Sequence, residues 1–350
     1  MGPYTSYNHA AGDVDGDGDV DAILLDFSTG ILVYLNDGSG VFSDSGQLLG
    51  VNAPHCAGLG DVDGDGDLDM FGCSYSGGNS IWMNDGSGVF TDSGQSLGDS
   101  ETVNVRLADL DGDGDLDAFV KNQVDPDKVW FNNGMGTFTD SGQLLDDLIT
   151  SYGMDLGDID GDGDLDMFSA NFLNGLPDFI YPNDGTGTFG RGQLLGADWS
   201  ADVRFGDLDG DGDLDAFVAV YFAGNKVWLN SGTGYFTDSG QVLGSSDSVK
   251  VDLGDVDGDG DLDAVVGNDG TPNKLWLNDG TATFTESGQG FNSASCYGVG
   301  VVDLNGDGAL DVLSVSNNAP TYVWLNAVSP VIFIDGFESG DTDAWSDAAP

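Results

Sequence analysis

Between residues 99 and 147 the apolar positions come in short bursts. Val103, Val105 and Leu107 alternate with Asn104 and Arg106, the period of two that a half-buried strand requires. After an acidic stretch come two further β-rich runs, "LDAFVKN" and "KVWFN", then the Asn/Gly turn "NNGMG" and a last run, "TFTDSGQ". Asn and Gly tolerate positive φ and so suit tight hairpin connections. With no helical period anywhere in the unit, the pattern predicts four short strands in an antiparallel meander.

The meander recurs along the chain. The first Asp of each acidic stretch falls at Asp13, Asp61, Asp109, Asp158, Asp207, Asp255 and Asp303, at intervals of 48 or 49 residues. A period of this size marks a repeat architecture, with units at about 4–50, 51–98, 99–147, 148–196, 197–244, 245–291 and 292–338. Second strands such as "DAFVAVYF" and "DAVVG" are apolar on successive residues, as expected where both faces of a sheet are covered. Stacking in an open solenoid leaves terminal sheets bare, whereas a ring covers every sheet twice. The fold predicted is therefore all-β, a seven-bladed β-propeller of four-stranded antiparallel blades.

Third strands carry an aromatic at one recurring place: Tyr34, Trp82, Trp130, Tyr181, Trp228, Trp276 and Trp324. A repeated mid-strand aromatic reads as packing between sheets rather than as a sugar platform. Gln47, Gln95, Gln143, Gln193, Gln241 and Gln289 recur near the ends of fourth strands, and their amides are expected to satisfy backbone groups between units.

Charge changes the picture. The 350 residues include 61 Asp plus Glu against 8 Lys plus Arg, a formal net charge of -53. Such a balance usually opposes collapse, yet 39% of residues are hydrophobic and 10% aromatic, enough for a core. It excludes a nucleic-acid surface, which needs basic stripes, and disfavours anionic lipid. No run approaches a membrane span, and the N-terminus carries no basic-then-apolar leader. The chain thus reads as a mature form, a fragment, or a protein that is not exported. Cys56 and Cys73 flank one acidic stretch; a cross-strand disulfide and two buried thiols both fit that spacing, and Cys296 has no evident partner.

The acidic stretches place carboxylates at positions 1, 3, 5, 7 and 9: Asp13, Asp15, Asp17, Asp19 and Asp21; Asp61, Asp63, Asp65, Asp67 and Asp69; Asp109, Asp111, Asp113, Asp115 and Asp117; Asp158, Asp160, Asp162, Asp164 and Asp166; Asp207, Asp209, Asp211, Asp213 and Asp215; Asp255, Asp257, Asp259, Asp261 and Asp263. The last loop reads Asp303, Asn305, Asp307, Ala309 and Asp311. Carboxylates this close repel one another by kilocalories. Gly at position 6 allows the bend that turns several oxygens toward one point. A hard cation with six to eight oxygen ligands answers the repulsion, and calcium tolerates such geometry better than magnesium. Zinc and copper lack His or Cys ligands here. An EF-hand needs a Glu at position 12 and flanking helices, but Leu24, Gly72 and Val120 stand there in the first three loops. Position 7 contributes its backbone carbonyl, which leaves its Asp side chains as surplus charge facing solvent. Asn305 and Ala309 predict a weaker seventh site. Seven calcium ions would take the net charge from -53 to -39.

Seven "D-x-D-x-D-G-x-x-D" loops in four-stranded units of this length resemble the FG-GAP and VCBS repeats, as in the integrin α-subunit head, over about residues 4–338. The resemblance implies a seven-bladed propeller with calcium in loops between the first and second strands, on one face. Integrins carry such loops in only some blades, and of the family's Phe-Gly phrase only fragments such as "YGMDLGD" are present.

At the C-terminus "VIFID" aligns as the fourth strand of the last blade; the alternative is that this strand pairs with another molecule's edge and links chains. Residues 339–350 read as a flexible tail. The expected function is that of an extracellular, calcium-stabilised adhesion or recognition module with a protein or carbohydrate ligand at the cell surface or matrix, bound where the repeats differ: "SYSGGNS", "NQVDPDK", "NFLNGLPD", "YFAGNK" and "NDGTPNK". A lectin binding sugar between blades is the second reading, as the resemblance to certain mushroom lectins implies. Tyr75, Phe172, Tyr221 and Phe222 are its candidate stacking residues, although each alone reads more readily as core. A self-assembling surface layer is a third. Catalysis is not expected: the carboxylates recur identically seven times, only His9 and His55 exist, and no "G-x-S-x-G" appears.

Overall fold

The computed structural model describes residues 6–50, 52–145, 151–173, 175–196, 198–291, 295–316, 320–326 and 333–336. Pro330 and the tail 339–350 lie outside them. Twenty-eight strands form seven antiparallel four-stranded sheets, and no helix occurs among the described residues. Blade 1 runs Ser6–Gly12, Asp21–Asp26, Gly30–Asn36 and Phe42–Leu49, each strand paired with the next. In the seventh blade Phe333–Gly336 pairs with Tyr322–Asn326, so the C-terminal strand completes its own sheet.

Second strands are buried along almost their whole length, for example Asp69–Ser74 and Asp263–Asn268, because a neighbouring sheet covers each face. Fourth strands are exposed and as short as two residues (Thr139–Asp140), which blunts the outer edges. The core is divided into seven clusters, each shared by two adjacent blades. One unites Ala22, Leu24 and Tyr34 of blade 1 with Leu304, Leu313 and Val323 of blade 7, and so closes the ring by side-chain packing.

The third-strand aromatics belong to these clusters: Tyr34 is 4% exposed and Trp130 7%, while Trp228 packs at the margin of its cluster. The glutamines tie neighbouring outer strands. Gln95 donates to the Gly136 carbonyl (2.6 Å) and accepts from Phe138 N–H (2.9 Å), and Gln47 treats Gly88 and Phe90 likewise. Cys56 and Cys73 form a disulfide, their Cα atoms 5.0 Å apart, whereas Cys296 is a buried thiol.

Candidate metal centres and central mouth

Each acidic loop joins a first strand to a second, and glycine shapes it at two positions. Gly64 and Gly66 in blade 2 adopt φ of 80° and 97°, a left-handed region that side chains resist. The position-1 carboxylate fastens the bend: Asp61 Oδ1 accepts from Gly64 N–H (2.7 Å) and Oδ2 from Gly66 N–H (3.0 Å). Three carboxylates then offer oxygens within 4.8 Å of one another, as in Asp61, Asp63 and Asp69, or Asp109, Asp111 and Asp117, or Asp207, Asp209 and Asp215. In the first and fourth loops the converging set is Asp13, Asp15 and Asp17, and Asp158, Asp160 and Asp162.

Position 9 opens the second strand and is buried; Asp69 and Asp117 are 0% exposed. Asp117 Oδ2 accepts from Leu110 N–H of its own loop (3.2 Å) and Oδ1 from Asn132 N–H of its third strand (2.8 Å). Burial pushes the carboxyls of Asp21, Asp69, Asp117, Asp166, Asp215, Asp263 and Asp311 up to about 6 against these amide bonds. Asp15, Asp63, Asp111, Asp209 and Asp257 at position 3 are also raised, first by desolvation and then by like-charged neighbours. None of the eight Lys and Arg residues lies in any of the seven acidic loops. The chain thus gathers oxygen ligands and supplies no cation of its own, a donor set that fits a hard divalent ion.

Two features depart from the sequence reading. The position-7 carboxylates are not surplus charge facing solvent. Asp19, Asp67 and Asp115 are half-buried against Gly38, Gly86 and Gly134 in the turn before the fourth strand, and only a glycine leaves room for them. The second feature, missed from sequence, is the asparagine ending each third strand. Asn132 Nδ2 donates to the Val62 carbonyl in the preceding blade's loop (2.7 Å), and Asn36 closes the circle onto Leu304 (2.8 Å). The signal was present as an Asn after every third-strand aromatic, from "YLN" to "VWLN".

At the far ends of the same strands the central channel widens into a mouth. The residue fourteen places after each position-1 Asp leaves the second strand here, and in blades 1 to 6 it is Phe27, Tyr75, Gln123, Phe172, Tyr221 and Asp269. Tyr75, Phe172 and Tyr221, expected singly to be core, are instead half-buried and share one cavity of about 470 Å3 with Phe27, His55, Tyr152, Tyr297 and Asp269. Phe222 is 64% exposed at the rim, 5.5 Å from Trp199.

Beneath lies a second cavity of about 290 Å3. Blades 3 to 6 fill their share of the channel with alternating charges: Arg106 bonds Asp155 (3.2 Å) and Arg204 bonds Asp252 (3.3 Å). Blades 7, 1 and 2 place only Gly300, Ala10 and Gly58 at the equivalent position. His9 and His55 are both lowered to about 4, chiefly by burial and then by Lys250.

The FG-GAP-like repeat profile matches residues 13–72, 61–120, 158–218, 215–266 and 255–314. Among solved structures, the chain is similar to the BP39L lectin from Burkholderia pseudomallei (TM-score 0.67, 11% identity, 95% of this chain and 100% of that one). It is also similar to BBS1N in complex with ARL6DN (0.64, 8%, 92% and 93%) and to the computationally designed Ika8 protein (0.53, 13%, 92% and 96%). At these identities the likeness is one of fold. No curated protein sequence matches the chain.

Proposed function

The chain belongs to the FG-GAP-like repeat family, and from that premise we propose that it is an extracellular recognition module whose acidic loops hold calcium as a structural ion. The observation that carries the calcium reading is the buried position-9 carboxylate, raised to about 6 and grouped with other carboxylates where the protein places no Lys or Arg. Positions 1, 3, 5 and 9 would supply side-chain oxygens, Asn305 replacing Asp in the last loop. A bound ion would cancel their mutual repulsion and fasten the first strand of each blade to the second.

The Cys56–Cys73 disulfide supports an oxidising, extracellular setting, where millimolar calcium suits loops of this type. A BBS1N neighbour solved with a protein partner and a lectin neighbour make protein and carbohydrate the ligand classes to test. We assign no catalytic role, because the carboxylates that could serve one recur in every blade and His9 and His55 stand at no repeated position.

Calorimetric titration of chelator-treated protein should find about seven calcium ions per chain, the seventh loop weakest. Chelation should lower Tm by more than about 10 °C, since an ion bound only to the native state at 100 times its Kd adds about 2.7 kcal/mol per site. A Tm indifferent to EDTA would sink the calcium reading.

A further inference from the structure

The mouth opposite the acidic loops is a built cavity whose walls differ blade by blade. Its rings are fixed against one another: Phe172 lies 5.5 Å from Tyr152 and 5.3 Å from Tyr221, and Tyr75 stacks 5.7 Å from His55. Its polar atoms are fixed too. Gln123 bonds the hydroxyls of both Tyr75 and Tyr152, and Tyr221 donates to Asp269 (2.9 Å). At the rim Phe222 has φ of 64°, a strained backbone for so bulky a residue, and the strain keeps an aromatic ring in solvent beside Trp199.

The charges select the ligand. Among the described residues the cavity wall holds one carboxylate, Asp269, and one ammonium, Lys250, whose counter-ion Asp202 lies 3.8 Å away, and the Glu101 carboxylate lies beside Tyr75 at its edge. A cation entering meets Lys250, with Arg204 below it. An anion meets Asp269, with Asp247 beside it at Tyr221, and a chain of net charge -53. Between these opposed charges the rings and polar groups suit a neutral molecule, with apolar faces for the rings and hydroxyls for the charged pair, in a volume that holds a small ligand.

We propose that this mouth binds a neutral saccharide ring, a site on the propeller axis distinct from the grooves between blades. The proposal rests on the reading above of the propeller as a recognition module. The sugar's C–H faces stack on Phe172 and Tyr221 while its hydroxyls donate to Asp269 and accept from Lys250.

The test uses the full chain with calcium on an array of neutral, acidic and amino sugars, followed by tryptophan-fluorescence titration with cellotriose, maltotriose and chitotriose, since Trp199 touches both Phe172 and Phe222. At least one neutral class should bind. Phe172→Ala and Asp269→Asn should each weaken it at least tenfold, and Gln95→Ala, between outer strands, should leave it unchanged. Tyr221→Phe keeps the ring and should weaken binding less, which serves if Phe172→Ala fails to fold. A silent array from protein whose melting still responds to calcium overturns the saccharide site and leaves the calcium propeller standing. Binding that survives both Phe172→Ala and Asp269→Asn, or a preference for charged sugars or for an arginine-rich peptide, overturns it as well.

Discussion

Asp69 opens the second strand of blade 2 and Tyr75 follows its last residue, yet they belong to differently built faces. Around the loop face the blades repeat one another to within tenths of an ångström. The position-9 carboxylate accepts from the third-strand asparagine at 2.8 Å in blades 1, 2, 3 and 5. Around the mouth the equivalent position is a Phe, a Tyr, a Gln, a Phe, a Tyr and an Asp in turn. A ring of identical bonds can hold blades together, but it presents the same surface seven times over. An asymmetric lining is what distinguishes one orientation of a ligand from another, and the channel between the faces follows suit, charged along blades 3 to 6 and open along blades 7, 1 and 2.

If the loop face carries stability and the mouth carries recognition, single substitutions should separate them. The largest effect should come from Asp117→Ala, which leaves Leu110 N–H and Asn132 N–H without their buried acceptor. In calcium, denaturant unfolding should show a loss of about 3 kcal/mol, and calorimetry should show one ion fewer. Asn132→Ala should cost about 1.5 kcal/mol, because the buried Val62 carbonyl of the neighbouring blade loses its side-chain donor and keeps only the bond from Gly136 N–H (2.8 Å); a loss below about 0.5 kcal/mol would deny the asparagine ring its role.

Asp178 offers a smaller effect of opposite sign. It is buried, and desolvation raises its carboxyl to about 7 despite bonds from Asn171 N–H (2.7 Å) and Ser200 Oγ (2.8 Å). Asn79, Asn225 and Asn273 accept the same backbone bond in other blades without a charge. The folded protein keeps a proton that the unfolded chain has released between pH 3.8 and about 7, so this group's contribution is lost as pH rises through that window. Asp178→Asn should therefore stabilise by about 1 kcal/mol at pH 8 and by almost nothing at pH 4, as thermal melts at the two values would show. A variant no more stable at pH 8 than at pH 4, relative to wild type, would refute it. The smallest effect belongs to Tyr75→Phe at the mouth, with a stability change within about 0.5 kcal/mol. A loss of several kcal/mol there would mean that the mouth, too, is scaffold.

Much of the loop face was legible in the sequence because it rests on local chemistry written seven times. Alternating carboxylates with Gly between them fold within nine residues, and the glutamines were readable as links between units by their recurrence alone. The position-7 aspartates were misread because their surroundings are not local: Asp67 is covered by Gly86, nineteen residues on and across a turn. The asparagine ring escaped for the same reason, since Asn84 meets Val14 70 residues away.

The period, the strand pattern and the charge by themselves determined a seven-bladed ring with seven acidic loops, because each follows from residues close together in the chain and repeated. Only the tertiary structure decided that Cys56 and Cys73 are joined and that the channel is charged on one side and open on the other. It alone decided that Tyr75, Phe172, Tyr221 and Asp269, which look unrelated in sequence, face a common cavity. Each is about one repeat or more from the next, and what brings them together is closure of the ring, a property no single repeat possesses.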